Sequence, residues 1–366
     1  MIIPKAQLHH LLAATRYAAR DVLLIQGSGG NSSVKSPDGK RLWVKASGLR
    51  MTELDGSKGY VGVDVEPWLE ALRNPQGAEP AMPSKGGGLR PSMEAGFHAA
   101  LGPVVLHTHP VYVNAFSCMA GGHEASEDVA PAASIWIGYR PPGMDLAREV
   151  FRVCREGTSP GDEPLAIVLA NHGFIASGHD ADQVIDITRK FDSAGRSYFG
   201  ELSAELVTQQ PPSPELARWA QELQSALDQR LPGQAVALPA RWPALHRASE
   251  EPERWLTLGP LVPDDVVYGP EKVFCLGAST SAQKWADNFP DAGTRAVVAV
   301  EGLGLVLVAG SRRLFDTMEE NLLANVLIRF LIARRGRPLE LPEAQAAHLR
   351  TMESEKYRQA LVAGRG

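Results

Sequence analysis

Apolar residues recur near helical spacing over 6–20 (Leu8, Leu11, Leu12, Ala18) and predict a first helix. The short apolar run 22–25 leads into Gln26-Gly27-Ser28-Gly29-Gly30-Asn31-Ser32-Ser33, whose three glycines predict a loop. Pro37-Asp38-Gly39-Lys40 is turn chemistry between strand-like stretches at 33–35 and 41–45, a hairpin that Ala46-Ser47-Gly48 ends. A polar, Gly/Pro-rich stretch covers 74–91. Ser92 is an N-cap candidate for a helix through Leu101, stopped by Gly102-Pro103. The pattern then predicts a strand over 104–109, a helix over 111–119, a strand over 165–170, a tight turn at Asn171-His172-Gly173, and a strand over 174–177. Asp180 is an N-cap candidate for a long helix to about residue 201.

Beyond residue 205 the composition changes. Gln209-Gln210-Pro211-Pro212-Ser213-Pro214 reads as a linker, followed by one amphipathic helix over 214–229 and a second Pro-rich patch. From Trp255 the α/β pattern resumes, with strands over 296–300 and 303–308, a helix over 314–334 and a charged surface helix over 343–362. The predicted organisation is a first domain over 1–205, a Pro-rich linker with a helix over 206–255, and a C-terminal α/β extension over 256–366. Residues 166–169 and 296–299 echo each other at an offset of 296 − 166 = 130, but the second copy has no histidine where the first has His172.

Charge narrows the partners. Lys plus Arg is 37 and Asp plus Glu 42, a net −5 with His neutral, and no long basic run offsets it. Nucleic acid and acidic membrane surfaces are therefore poor partners, and any phosphate must be met by local geometry. Cys118, Cys154 and Cys275 form neither a disulfide framework nor a thiolate zinc site. With no apolar core of signal-peptide type and no long apolar run, the expectation is a cytoplasmic protein.

Three of the ten histidines stand where chemistry assembles. His107 and His109 are i and i+2 on a strand, so both rings face one side. Such a pair is half of a tetrahedral zinc site or, in the plainer reading, two packed histidines. His172 sits in a turn at a strand end and supplies a third imidazole; a turn histidine capping backbone groups is its plainer reading. Glu94 is the acid candidate, with helix stability as its alternative role. His98, one turn on, is a rival ligand whose face also carries Leu101. The 26–33 loop lacks the Gly-Lys-Ser/Thr of a Walker loop and the third glycine and following helix of a dinucleotide fingerprint. It still offers backbone N–H groups with Asn31, Ser32 and Ser33 as an anion nest, to which Ser47, Gly48, Arg90 and Ser92 are added.

Gly29-Gly30-Asn31-Ser32-Ser33-Val34, Val44-Lys45-Ala46-Ser47-Gly48, Pro91-Ser92-Met93-Glu94 with His98, His107-Thr108-His109-Pro110, and Asn171-His172-Gly173 with Gly178 stand in the order seen in the class II aldolase/adducin family, which the chain resembles over roughly residues 8–200. The resemblance implies a three-layer α/β/α fold with a central, largely antiparallel sheet, plus a smaller C-terminal α/β region. It implies His107, His109 and His172 as ligands of zinc or another divalent metal, and Glu94 as the acid/base beside it. Gly30, Asn31, Ser47, Gly48 and Ser92 would form the phosphate pocket. The implied activity is that of an aldolase cleaving a small sugar phosphate by retro-aldol chemistry through a metal-stabilised enediolate, in a homotetramer. The alternatives are a dehydratase or decarboxylase of a sugar-acid phosphate, or an adducin-like interaction module. Met93 departs from the family's second serine, and Tyr112 and Tyr139 are the nearby candidates for its proton-donating tyrosine.

Overall fold

The computed structural model describes residues 3–56, 58–74, 76–80, 89–157, 164–291 and 293–362. Part of the predicted polar stretch over 74–91, namely 75 and 81–88, lies outside these. The chain forms two compact units, Met1–Phe199 with Arg335–Leu339, and Gly200–Arg334 with Glu340–Gly366.

The first unit runs α1 (Lys5–Ala19), β1 (Asn31–Lys35), β2 (Arg41–Lys45), β3 (Tyr60–Asp64), α2 (Val65–Arg73), α3 (Ala95–Ala100), β4 (Val104–Thr108), α4 (Val111–Ser117), α5 (Gly122–Val129), β5 (Ser134–Ile137), α6 (Met144–Gly157), β6 (Leu165–Leu169), β7 (Gly173–Gly178) and α7 (Ala181–Phe199). Its seven strands lie in the order β3-β2-β1-β4-β7-β6-β5. Every neighbouring pair is antiparallel except β5 with β6. Alternation along the strands feeds apolar cores on both faces of the sheet. Val34, Val104, Leu106, Val168, Phe174 and Ala176 pack with α1 and α7. Val105, Ile167, Leu169 and Ile175 pack with α3 and α6. The fold is thus a sheet between two helical layers, as the resemblance implied, with antiparallel pairing dominant.

Local chemistry sets the boundaries. The Asp180 carboxylate accepts from the Gln183 N–H at 2.9 Å and caps α7, and Gly200, at φ 81°, follows its last turn. The helix predicted over 92–101 is shorter, because Ser92 turns its hydroxyl onto the Glu94 N–H at 3.3 Å and leaves Glu94 at the N-cap position of α3.

The segment Arg335–Leu339 completes the first unit from far along the chain. It bonds back through Leu339 N–H to Cys118 O at 2.7 Å and Ala120 N–H to Arg337 O at 3.0 Å. The Asn171 side-chain amide donates to Leu339 O at 2.7 Å. Asn171 is the one described non-glycine residue in the left-handed region, at φ 51°.

The second unit runs α8 (Pro214–Arg230), β8 (Val236–Pro239), α9 (Pro243–Ser249), α10 (Pro252–Trp255), α11 (Pro263–Tyr268), β9 (Lys272–Leu276), α12 (Ala282–Ala286), β10 (Ala296–Val300), β11 (Gly304–Ala309), α13 (Arg312–Ile332), α14 (Glu343–Thr351) and α15 (Glu353–Val362). The stretch read as a linker over 206–255 supplies α8, whose Ser213 cap accepts from Leu216 N–H at 3.2 Å, and the strand β8. The sheet order is β8-β11-β10-β9. β8/β11 and β11/β10 are antiparallel and β10/β9 parallel, repeating the arrangement of β4-β7-β6-β5. Register moves the sequence echo by one residue. Leu169 faces Gly173 across one turn and Val300 faces Gly304 across the other, an offset of 304 − 173 = 131. On that frame Pro239, opposite Val306, stands where His107 stands opposite Ile175, and Leu303 stands where His172 does. Two residues past Pro239, where the first unit has His109, Arg241 is clamped by Glu319 and Asp316 of α13. The second sheet keeps the frame and none of the three imidazoles.

Candidate active site

Strand register builds the site. His107 of β4 faces Asn31 of β1 on one side and Ile175 of β7 on the other, so all three side chains lie on the α3/α6 face. His109 continues that face just beyond the strand end. Its N–H bonds to Leu24 O at 3.0 Å, which ties the site to the segment before the glycine loop. The β6–β7 turn brings in His172, and Gly173 makes room for it. A Cβ at 173 would lie 2.6 Å from Thr108 O, 2.8 Å from His109 Cδ2 and 3.1 Å from His107 Cε1.

His107, His109 and His172 each offer one nitrogen, and these lie within 4.8 Å of one another. His107 Nε2 is 3.2 Å from His109 Nε2. Nitrogens at about 2.0–2.1 Å from a tetrahedral zinc stand about 3.4 Å apart, so this spacing suits two ligands of one cation. His107 Nδ1–H donates to Phe174 O at 3.0 Å, which leaves the Nε2 lone pair for the site. Burial pushes the His107 pKa down to about 3 against the pull of Glu94, so the ring is a neutral ligand near neutral pH. Glu94 faces the same point, with Oε1 3.3 Å from His172 Nε2 and Oε2 3.6 Å from His107 Nε2. Glu94 Oε1 and His172 Nδ1 are buried without a hydrogen-bond partner. An unpartnered carboxylate oxygen among imidazoles is the environment a divalent cation stabilises, so the residues fit such an ion. Burial raises the Glu94 pKa, but His107, His172 and the Asn31 amide outweigh it and hold the carboxyl well below its ordinary value.

Some of the residues expected to meet a phosphate are brought together. An antiparallel bridge pairs Ala46 with Pro91, with Ser47 N–H on Arg90 O at 2.8 Å and Ser92 N–H on Lys45 O at 2.9 Å. Ser47-Gly48 and Ser92 thereby share one loop cluster. The Lys45 ammonium, donating to Ser28 O at 3.0 Å and Leu49 O at 2.6 Å, pins the glycine loop to it. Gly30, at φ 56°, backs onto the His107 carbonyl, 2.7 Å from where a Cβ would stand. Asn31 Nδ2 donates to Ser92 Oγ at 3.1 Å and Glu94 Oε2 at 2.7 Å, so its amide serves the carboxylate. Ser32 and Ser33 are spent internally. Strand alternation turns Ser32 to the opposite face, 2.6 Å from Thr15 Oγ1, while Ser33 Oγ lies 2.7 Å from His98 Nδ1. His98 joins Asn31 through Nε2 and stands apart from the imidazole trio. Tyr112 is buried in α4 beneath Arg196, its ring centroid 4.5 Å from the guanidinium carbon, and Tyr139 is half-buried between β5 and α6.

The sequence reading missed that Asn31, Ser33 and Lys35 form one polar row under α3. Lys35 Nζ reaches Ala99 O at 2.8 Å and also bonds Leu101 O, capping the helix C-terminus. The signal was the i, i+2 spacing of three polar residues on a strand that also carries buried Val34.

A family model described as Class II Aldolase and Adducin N-terminal domain matches residues 9–198. The 3-oxo-tetronate 4-phosphate decarboxylase of Haemophilus influenzae is 29% identical over 188 residues, covering 47% of this chain and 78% of that protein. The N-terminal class II aldolase domain of a conserved protein from Thermoplasma acidophilum is 22% identical, covering 54% of this chain and 96% of that one at a TM-score of 0.45. An L-fuculose 1-phosphate aldolase is 20% identical, covering 56% and 93% at a TM-score of 0.39. The family match takes in more than half of the chain, from α1 through nearly all of α7, and on that ground this protein belongs to the class II aldolase and adducin family.

Proposed function

We propose that the protein is a zinc-dependent lyase that cleaves a small sugar phosphate by retro-aldol chemistry. The observation that carries this reading is Glu94 Oε1, buried, unpartnered and 3.3 Å from His172 Nε2 beside the imidazole trio. His107, His109 and His172 would hold the cation, which when bound supplies Lewis-acid polarisation of a substrate carbonyl. Glu94 carries the proton to or from the carbon beside the breaking bond, since its free oxygen is the basic atom facing that point. Asn31 keeps that oxygen in place by occupying the other one. Gly30, Ser47, Gly48 and Ser92 would meet the phosphate. Ser92 Oγ already accepts from Asn31 and from the Glu94 N–H, so its own proton remains to be donated to an anion. Holding the phosphate fixes the reacting carbons against Glu94, the orientation contribution to the rate.

A second reading, decarboxylation of a keto-acid phosphate, is favoured by the name of the Haemophilus influenzae relative. Both reactions break a bond beside a polarised carbonyl and leave electrons there, so one constellation serves either. The test is a screen of ketose phosphates and keto-acid phosphates on zinc-loaded protein, reading aldehyde and carbon dioxide separately. Aldehyde release supports the aldolase, carbon dioxide the decarboxylase, and Glu94→Gln abolishes either while zinc stays bound. Unchanged turnover in Glu94→Gln removes Glu94 from the mechanism. Protein that takes up no stoichiometric divalent metal would favour the adducin-like module instead. The accompanying expectation of a homotetramer is tested by the solution mass.

A further inference from the structure

The polar row beneath α3 has one arrangement of protons compatible with a charged Glu94. An ionised carboxylate only accepts, so the Asn31 group facing Oε2 at 2.7 Å is its NH2. Asn31 Oδ1 therefore faces His98 Nε2, which must carry the ring proton. His98 Nδ1 is then the acceptor, and the Ser33 hydroxyl, 2.7 Å away, donates to it. The ring is fully buried and stacks on Phe97 with centroids 4.6 Å apart, so it has no room to turn. Reversing the ring proton would flip the Asn31 amide and set its carbonyl against the carboxylate.

We propose that His98 is a positioning residue, whose Nε2–H orients the Asn31 amide and through it aims Glu94 Oε1 at the imidazole trio. Ser33 donates to the Nδ1 lone pair that this tautomer leaves, so a chain of three hydrogen bonds between β1 and α3 determines where the reactive carboxylate points. The proposal rests on the reading of Glu94 as the proton-carrying group, and its test has one arm that needs no turnover. Burial also holds His98 neutral, its pKa pushed down to about 3, as a donor–acceptor role requires.

The first arm is nitrogen NMR of histidine-labelled wild-type protein at neutral pH. His98 should appear as the neutral Nε2–H tautomer, and Ser33→Ala should keep that tautomer while shifting the Nδ1 signal that loses its donor, with the metal content unchanged. An Nδ1–H ring or an imidazolium in the wild type overturns the proposal whatever the enzyme's reaction is. The second arm is kinetic. His98→Phe, which keeps the stacking and removes both polar bonds, should lower kcat about 10- to 100-fold with KM little changed. His98→Gln, which retains a donor and an acceptor, should recover most of that loss. In an Asn31→Ala background His98→Phe should cost nothing further, since its effect runs through that amide. An equal loss in both backgrounds, or no loss in a folded His98→Phe, overturns the proposal. Failure to find any substrate would count against the lyase reading alone, and the tautomer result would still decide the role of His98.

Discussion

Gly173→Ala tests whether the imidazole cluster depends on the close approach of β4 and β7. The added Cβ would stand 2.6 Å from Thr108 O, where ordinary contact begins near 3.4 Å, so a shift of 3.4 − 2.6 = 0.8 Å is required. The obstructing atom is backbone in the β4–β7 ladder, where Thr108 pairs with Phe174, and cannot rotate away. The same Cβ meets His109 Cδ2 at 2.8 Å and His107 Cε1 at 3.1 Å, so the strand shift moves two of the three rings. Overpacking of this kind costs about 1–3 kcal/mol of stability. Functional geometry tolerates displacement of only about 0.5 Å, so the affinity proposed for a divalent metal, probed with zinc, should fall as well, by about 10- to 100-fold. Chelator competition measures the affinity, and melting curves with and without zinc measure the coupling between binding and stability. Gly39→Ala is the control. Its φ is 70° with nothing within 4 Å of the added carbon, so it should cost about 1–2 kcal/mol of backbone strain and leave zinc affinity unchanged. A folded Gly173→Ala protein with wild-type zinc affinity would refute the idea that this glycine holds the rings together.

Three further outcomes are expected. His109→Ala or His172→Ala should abolish the divalent-metal binding proposed for the trio, seen as loss of any metal-dependent rise in Tm, with little change in the stability of the metal-free protein. Burial pushes the Lys35 pKa from 10.5 down to about 8, so between those values the unfolded chain binds the extra proton and stability rises with pH. Urea unfolding across that range should show a rise in the wild type that Lys35→Met lacks; identical profiles would mean that the carbonyls of Ala99 and Leu101 keep the ammonium charged. Glu319→Ala removes the acceptor of the Arg241 backbone N–H and Nε and leaves Asp316 as the ion-pair partner, so it should cost about 1–3 kcal/mol, read by denaturant unfolding, with metal titrations unaffected.

Much of the candidate site was legible because its residues stand next to strong local punctuation. The glycines before Asn31, the Pro after His109 and the Gly after His172 mark strand ends, and i, i+2 spacing put His107 and His109 on one face before any partner was known. Residues whose role depends on a non-local neighbour were not legible. His98 looked like a rival ligand because its partners, Asn31 and Ser33, come from a strand 65 residues away or more. Ser32 looked like an anion donor until pairing with Leu106 turned it toward α1. The short strands β5 and β9 carry little periodicity of their own and are strands because β6 and β10 lie alongside them. β8 was hidden in Pro-rich composition, and its last residue, Pro239, shows why.

The return of Arg335–Leu339 to the first unit has a consequence for synthesis. Phe199 and Leu339 are 339 − 199 = 140 residues apart, so at about 5–20 residues per second the matched region waits about 7–28 s on the ribosome for its last backbone partners. During that interval the amide of Asn171, the neighbour of His172, lacks the Leu339 carbonyl it will finally hold. Nascent protein is therefore incomplete at the turn that carries the third imidazole, and a gene cut to the family-matched portion would leave it so permanently.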